Sequence, residues 1–280
     1  MKVLLAQYSG FCFGVEKAIN TVFEKLDINN SEKPIYSLGP LIHNNHVVKE
    51  LEEKGVKVVD DLDNVNSGIL VIRSHGVPKK IYELANEKGL EIVDTTCPYV
   101  QRIQNIVKDY YLIGYTIIIV GNVDHPEVIG INGWCNNEAI ILNSIDQARQ
   151  IPCTKNICLV SQTTMPLQTF LDISSVIEEK TNNLKKFDTV CTATKQRQDA
   201  ARTLALQVDA MIVIGDSHSS NTKKLLEISQ EVNPNGAFLI QSKEELPLEL
   251  LKGYNVVGVT AGASAPKWVI KDIVEILNKI

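Results

Sequence analysis

The chain has no basic excess, no long apolar run and no C-x2-C pair, and each absence excludes a class of protein. Lys and Arg number 28 against 33 Asp and Glu, a net charge of -5. A binder of nucleic acid or of an anionic membrane would need a basic surface, so neither partner is expected. The longest apolar stretches, such as Thr116 to Val120 and Ala210 to Ile214, are strand-sized. A spanning helix needs ~20 such residues. The opening run Val3 to Ala6 breaks at Gln7, too soon for the apolar core of a signal peptide. The expectation is a cytoplasmic chain with no membrane partner. In that reducing compartment its six cysteines would be metal ligands, redox groups or buried apolar residues rather than disulfides. Neither G-x-x-x-x-G-K-[ST] nor G-x-G-x-x-G occurs, which excludes a P-loop nucleotide site and a Rossmann dinucleotide site. Linkers, low-complexity tracts and charge blocks are also missing.

What is present is an α/β pattern. With 280 residues and 44% hydrophobic content, the chain can bury a core without staples. Short β-branched runs alternate with amphipathic helices. Strands are expected at 2–7, 34–38, 69–73, 116–120, 138–142, 157–161, 210–214, 236–240 and 255–260, with weaker ones at 91–93 and 188–190. Continuous apolar runs such as Ile117-Ile118-Ile119-Val120 suit parallel strands covered on both faces. Val15, Ala18, Ile19, Val22, Phe23 and Leu26 fall on one face of a helix. Cys12, Cys97 and Cys191 divide the chain into near-equal thirds. The pattern therefore predicts three similar α/β lobes with mostly parallel sheets. Their expected bounds are 14–96, 97–192 and 193–280, the last taking the N-terminal strand in 1–13.

Parallel α/β folds bind ligands beyond the carboxyl ends of their strands, and here the turns that follow the strands hold the reactive residues. Four of the five histidines and three of the six cysteines lie in such turns. Three thiolates brought together from three lobes could hold zinc with a histidine, or an iron–sulfur cluster. In a [4Fe–4S] cluster they would leave one iron without a protein thiolate. Cys158 lies inside an apolar strand and reads as core, and Cys135 and Cys153 sit at element edges. Ser219-Ser220-Asn221-Thr222 and Ser264-Ala265-Pro266 each open a helix, where hydroxyls and free N–H groups can bind phosphate. Those residues could equally be simple N-caps. His43, His75 and His125 could add donors to a diphosphate. Glu127, after His125-Pro126, is either a dipole-complementing first-turn acid or a proton donor, with Thr163 in a neighbouring turn. His46 and His218 read as surface polar residues.

Taken together these motifs resemble a known family. Gly10-Phe11-Cys12-Phe13-Gly14-Val15, Gly39-Pro40 with His43-Asn44, Arg73-Ser74-His75-Gly76-Val77, Asp94-Thr95-Thr96-Cys97-Pro98 and His125-Pro126-Glu127 all match it. So do Ser161-Gln162-Thr163-Thr164, Thr189-Val190-Cys191-Thr192 with Arg197-Gln198, Ser219-Ser220-Asn221-Thr222 and Ala261-Gly262-Ala263-Ser264. They are similar to the LytB family, reductases of 4-hydroxy-3-methylbut-2-enyl diphosphate in the methylerythritol phosphate route to isoprenoids. The resemblance implies three lobes arranged pseudo-threefold around a central cavity that holds one oxygen-sensitive [4Fe–4S] cluster. It implies that Cys12, Cys97 and Cys191 ligate three irons and that the fourth iron takes the substrate's hydroxyl oxygen. His43, His75, His125, Thr164, Ser219, Ser220, Asn221 and Ser264 would hold the diphosphate. Glu127 would supply protons and Thr163 would orient the hydroxyl. The implied reaction is a two-electron reductive dehydroxylation to isopentenyl and dimethylallyl diphosphates. A ferredoxin or flavodoxin would donate the electrons to a monomer. Asp216-Ser217-His218 departs from the basic or amide residues expected before the two serines. Two rivals stand beside this reading. One is an open-cluster hydro-lyase acting on a small phosphorylated substrate without net redox, and the other is a metal-binding sensor without activity.

Overall fold

The β-branched runs become strands, and every strand pairing is parallel. The computed structural model describes residues 1–29 and 32–280. Among the described residues twelve strands form: β1 (Lys2–Leu5), β2 (Ile35–Leu38), β3 (Val56–Val59), β4 (Ile69–Ile72), β5 (Glu91–Asp94), β6 (Thr116–Val120), β7 (Ile140–Leu142), β8 (Asn156–Ser161), β9 (Asn183–Lys186), β10 (Ala210–Ile214), β11 (Ala237–Ile240) and β12 (Val256–Ala261). The helices are α1 (Phe13–Asn29), α2 (Asn45–Glu53), α3 (Lys79–Glu87), α4 (Pro98–Leu112), α5 (Pro126–Asn132), α6 (Ile145–Gln150), α7 (Leu167–Glu178), α8 (Thr192–Ala205), α9 (Ser220–Val232), α10 (Leu248–Leu251) and α11 (Lys267–Leu277).

Two compact units result. One comprises Met1–Glu16, Ile42–Lys49 and Thr192–Ile280, the other Lys17–Leu41 and Glu50–Cys191. The second unit holds two four-stranded sheets, ordered β3-β2-β4-β5 and β7-β6-β8-β9. The first unit holds one, ordered β1-β12-β10-β11. These are the three α/β lobes that the pattern predicts. In the first unit β1 takes the place that β5 and β9 hold in the other sheets, so the N-terminal strand completes the C-terminal lobe.

Alternating side chains of the central strands feed two cores. Ile117 and Ile119 of β6 pack against Val100, Ile103 and Val107 of α4, while Ile118 and Val120 pack against Phe170, Ile173 and Ile177 of α7. In the first unit Ile212, Ile214, Val257 and Val259 meet Val269, Ile270, Ile273 and Leu277 of α11. On the opposite face Met211 meets Leu204 and Ala205 of α8, and Val213 meets Leu225 of α9. Each such buried aliphatic side chain contributes about 1.5–3 kcal/mol. Among the described residues no helix is long and apolar enough to cross a membrane.

Two strands differ from expectation. β3 lies where no strand was expected: it follows α2 with only Lys54 and Gly55 between, and Gly55, at φ of 100°, turns the chain out of the helix straight into Val56. The edge strand expected at 188–190 lies instead at Asn183–Lys186, a short polar run without a β-branched residue. Asp188 folds over the amide of Val190, its Oδ1 accepting that N–H at 3.1 Å, and so shapes a turn there.

Candidate active site

In each sheet the first and third strands of the lobe lie side by side: β2 with β4, β6 with β8, β10 with β12. This is where strand order reverses, the position at which open parallel sheets bind ligands. Counting from the strand ends shows a repeat. Five residues past the first strand stand His43, His125 and Ser219, and three past the third stand His75, Thr164 and Ser264. The fourth strand leads in every lobe to a cysteine immediately before a helix: Cys97 before α4, Cys191 before α8 and Cys12 before α1. Each cysteine N–H donates to the carbonyl two residues past the third strand. The distances are 3.0 Å from Cys97 to Ser74, 3.0 Å from Cys191 to Thr163 and 3.2 Å from Cys12 to Ala263.

In the second unit the end of β8 meets the start of α5. Glu127 is 2% exposed. Its Oε1 accepts the Thr163 N–H at 2.6 Å, and its Oε2 lies 2.6 Å from Thr163 Oγ1. Burial pushes its pKa up to about 7, against the opposing pull of the two Thr163 hydrogen bonds. A carboxyl poised there can deliver a proton near neutral pH. His125 is the N-cap of α5, its Nδ1 accepting the Glu127 N–H at 3.1 Å. An accepting Nδ1 puts the proton of the neutral ring on Nε2. The His75 ring meets the His125 ring edge-on, with centroids 5.5 Å apart.

Residues that the sequence reading left without a role brace this arrangement. Gln162 is buried and spans two turns: Oε1 accepts the Asn122 N–H at 3.0 Å and Nε2 donates to Thr164 Oγ1 at 2.7 Å. Thr189 Oγ1 accepts the Ser161 N–H and donates to the Ser161 carbonyl, both at 2.7 Å, locking the turn that leads to Cys191. Thr95 Oγ1 does the like before Cys97, donating to the Ile72 carbonyl at 2.5 Å. The shared signal is a threonine two residues before each of these cysteines.

The first unit holds a polar cradle at the start of α9. Ser219 is the N-cap, its Oγ accepting the Thr222 N–H at 3.4 Å, and Ser220 is the first helical residue. Asn221, Thr222 and Ser264 are buried. Both polar side-chain atoms of Asn221, with Thr222 Oγ1 and Ser264 Oγ, make no hydrogen bond among the described residues. Leaving such groups buried and unmet costs about 1–3 kcal/mol each. Donors gathered at a helix N-terminus with that much unmet capacity suit an anion. Gly262 keeps the cradle open, because a Cβ there would lie 2.2 Å from Thr222 Oγ1 and 3.7 Å from Asn221 Nδ2. Asp216 turns its Oδ1 onto the His218 N–H at 2.7 Å, so this carboxylate organises its own loop. His43 is half-buried in the turn before α2, which Asn44 caps by accepting the Val47 N–H at 3.1 Å.

The cysteines separate by environment. Cys12, Cys97 and Cys191 are half-buried and stand immediately before α1, α4 and α8, each a helix of fourteen residues or more. Cys135 and Cys158 are buried among aliphatic side chains, which pushes their thiols up to about 11 and about 12. Cys153 is exposed, and His46 and His218 lie at the surface. The three repeated thiols, and not the other three, therefore suit a thiolate-ligated cluster.

A parallel α/β enzyme with a buried acid and an anion cradle at its strand ends is one built for a small anionic substrate. A sequence profile for the LytB protein matches residues 3–278. The chain is 51% identical over 280 residues to the 4-hydroxy-3-methylbut-2-enyl diphosphate reductase of Alkaliphilus oremlandii, covering 100% of both. It is 45% identical over 283 residues to that of Clostridioides difficile, again covering 100% of each. Among solved structures, the E-1-hydroxy-2-methyl-but-2-enyl-4-diphosphate reductase of Plasmodium falciparum matches with a TM-score of 0.91 at 32% identity, over 98% of this chain and 87% of that one. A second solved reductase, described as the terminal enzyme of the non-mevalonate pathway, matches over 100% of both chains at 35% identity, with a TM-score of 0.73. The chain belongs to the LytB family, the 4-hydroxy-3-methylbut-2-enyl diphosphate reductases, iron–sulfur oxidoreductases of isoprenoid biosynthesis.

Proposed function

We propose that the strand-end residues divide the family's reaction, the two-electron reductive loss of the substrate's hydroxyl as water, into three tasks. The observation that carries this reading is Glu127, a buried carboxyl with a pKa near 7 clasped at both oxygens by Thr163. The first task is binding. His43, His75, His125, Thr164, Ser219, Ser220, Asn221 and Ser264 hold the diphosphate. The unmet donors of Asn221 and Ser264 and the N–H groups that open α9 meet its oxygens without a lysine. His125 contributes Nε2–H, because its Nδ1 is committed to the Glu127 amide.

The second task is proton delivery. Protonated at Oε2, Glu127 donates to Thr163 Oγ1, and the threonine O–H turns outward to the departing hydroxyl. Oε1 keeps the Thr163 N–H throughout, so the proton moves without the side chain moving. The third task is electron supply. A [4Fe–4S] cluster held by Cys12, Cys97 and Cys191 supplies low-potential electrons and Lewis acidity when bound. The electrons come one at a time from a ferredoxin or flavodoxin, since the chain carries no flavin or nicotinamide motif of its own. A second proton adds at one end or the other of the allyl group left behind, so two electrons and two protons give water and isopentenyl or dimethylallyl diphosphate.

The test is anaerobic. Cluster-loaded protein and reduced viologen are mixed with 4-hydroxy-3-methylbut-2-enyl diphosphate. Substrate-dependent oxidation with formation of both products supports the reading. Turnover that proceeds without any reductant would move the protein to the hydro-lyases.

A further inference from the structure

In two of the three sheets a threonine side chain pins the turn before the cysteine: Thr95 holds the Ile72 carbonyl before Cys97, and Thr189 holds Ser161 before Cys191. In the first unit the same place, two residues before Cys12, is occupied by Gly10, which has no side chain to offer. Its backbone is left-handed, with φ of 90°, and a Cβ would stand 2.9 Å from Ile270 Cδ1 and 3.3 Å from the Ala265 carbonyl oxygen. A threonine does not fit there. The N–H groups of this turn reach the end of β12, Gly10 to Ala261 at 3.5 Å and Cys12 to Ala263 at 3.2 Å. The Gly10 carbonyl is held from the other side by Arg197.

Arg197 lies in the second turn of α8 and is buried. Its guanidinium reaches back toward the start of the helix. Nη2 donates to the Gly10 carbonyl at 2.7 Å and Nη1 to the Ala193 carbonyl at 3.0 Å. One planar fork thus ties the Cys12 turn to the first turn of the helix that follows Cys191. A lysine, with a single point of donation, could not span both carbonyls in that geometry. The charge itself is placed against the helix dipole, near the positive end of α8. Helix stability therefore does not explain it. Thiolate ligands leave an iron–sulfur cluster net negative, and reduction adds to that charge, so a fixed cation nearby favours the reduced state.

We infer that Arg197 is a positioning residue that takes the place of the missing threonine, fixing the Cys12 turn and favouring reduction of the cluster by its charge. The inference rests on the reading of Cys12 as a cluster ligand. Wild type, Arg197→Gln and Arg197→Lys are prepared anaerobically. Iron release to a chelator and the midpoint potential of the cluster are measured on loaded protein, and alkylation of each cysteine is mapped on cluster-free protein. Arg197→Gln is expected to hold its iron about 10- to 100-fold less tightly than wild type, the loss typical when outer-shell supports are removed, and so to release it faster to the chelator. Its midpoint potential should fall, and in the cluster-free chain the labelling rate of Cys12 should change while that of Cys97 does not. Arg197→Lys should release iron faster than wild type but keep its potential, because it retains the charge and loses the fork. Unchanged release and potential in Arg197→Gln would overturn the assignment. Should that variant fail to fold, wild-type iron release in Arg197→Lys overturns it instead. A wild-type chain that takes up no cluster would refute the reading of Cys12. The anchor is still decided in that case, because unchanged Cys12 labelling in the cluster-free variants removes Arg197 from its role.

Discussion

Replacing Glu127 by Gln should leave the fold intact, abolish most turnover, and remove the effect of pH on stability at this site. The amide keeps the geometry of the protonated acid, its oxygen accepting the Thr163 N–H and its nitrogen donating to Thr163 Oγ1. What it lacks is a transferable proton, which is worth about 10²- to 10⁴-fold in rate. The stability effect follows from the raised pKa. The folded state binds the Glu127 proton more tightly than the unfolded state does, so this group's contribution is fully present below an unfolded pKa near 4.5 and is lost as pH rises through about 7. The gap between those values corresponds to about 3 kcal/mol of destabilisation in wild type above pH 7. Glu127→Gln escapes that penalty. Denaturant unfolding of the cluster-free proteins should therefore find the variant more stable than wild type at pH 8, with the difference shrinking toward pH 5. In turnover, wild type should lose activity as pH rises through about 7 while the residual activity of the variant stays flat. A variant that keeps wild-type kinetics, or a stability difference independent of pH, would refute the argument.

Three further outcomes are expected. Thr163→Val removes the hydroxyl that holds down the Glu127 pKa, so the alkaline limb of the rate profile should move to higher pH while the rate falls; a limb that moves to lower pH contradicts the sign. Ser264→Ala and Asn221→Ala should raise KM by roughly 5- to 150-fold, from about 1–3 kcal/mol per lost donor, and calorimetry on the ligand-free proteins should find no loss of thermal stability, since the removed atoms have no hydrogen bond there. Cys97→Ser should lose most of its iron on anaerobic purification whereas Cys153→Ser, altering an exposed thiol, should match wild type; equal iron in the two variants would break the ligand assignment.

Much of this molecule could be read before its structure was known. The apolar runs at Thr116–Val120 and Ala210–Ile214 are strands buried on both faces, and Cys158 is core, because their chemistry allows little else. The reactive turns could likewise be named from residue types alone. What could not be read is the count from each strand end that makes His43, His125 and Ser219 equivalent, and likewise His75, Thr164 and Ser264. That count depends on where a strand stops, and the ladder with a neighbouring strand decides this rather than local composition. The division of labour at α9 was equally hidden. Ser219 and Asn221 are both plausible caps in the sequence, yet Ser219 caps the helix and Asn221 is the residue left with unmet donors and acceptors. Gln162 and Arg197 act on partners far along the chain, in the case of Arg197 on Gly10, and no local pattern signals such a bond.

The central claim is that the cysteines following the fourth strand of each lobe hold a single [4Fe–4S] cluster in which one iron lacks a protein thiolate. Mössbauer spectra of protein loaded anaerobically with ⁵⁷Fe test it most directly, recorded with and without substrate alongside iron and sulfide analysis. The account predicts about four irons per chain, with roughly a quarter of the absorption distinct from the rest and changed by substrate. Four equivalent irons indifferent to substrate, or a chain that retains a single zinc ion and no sulfide, would contradict it.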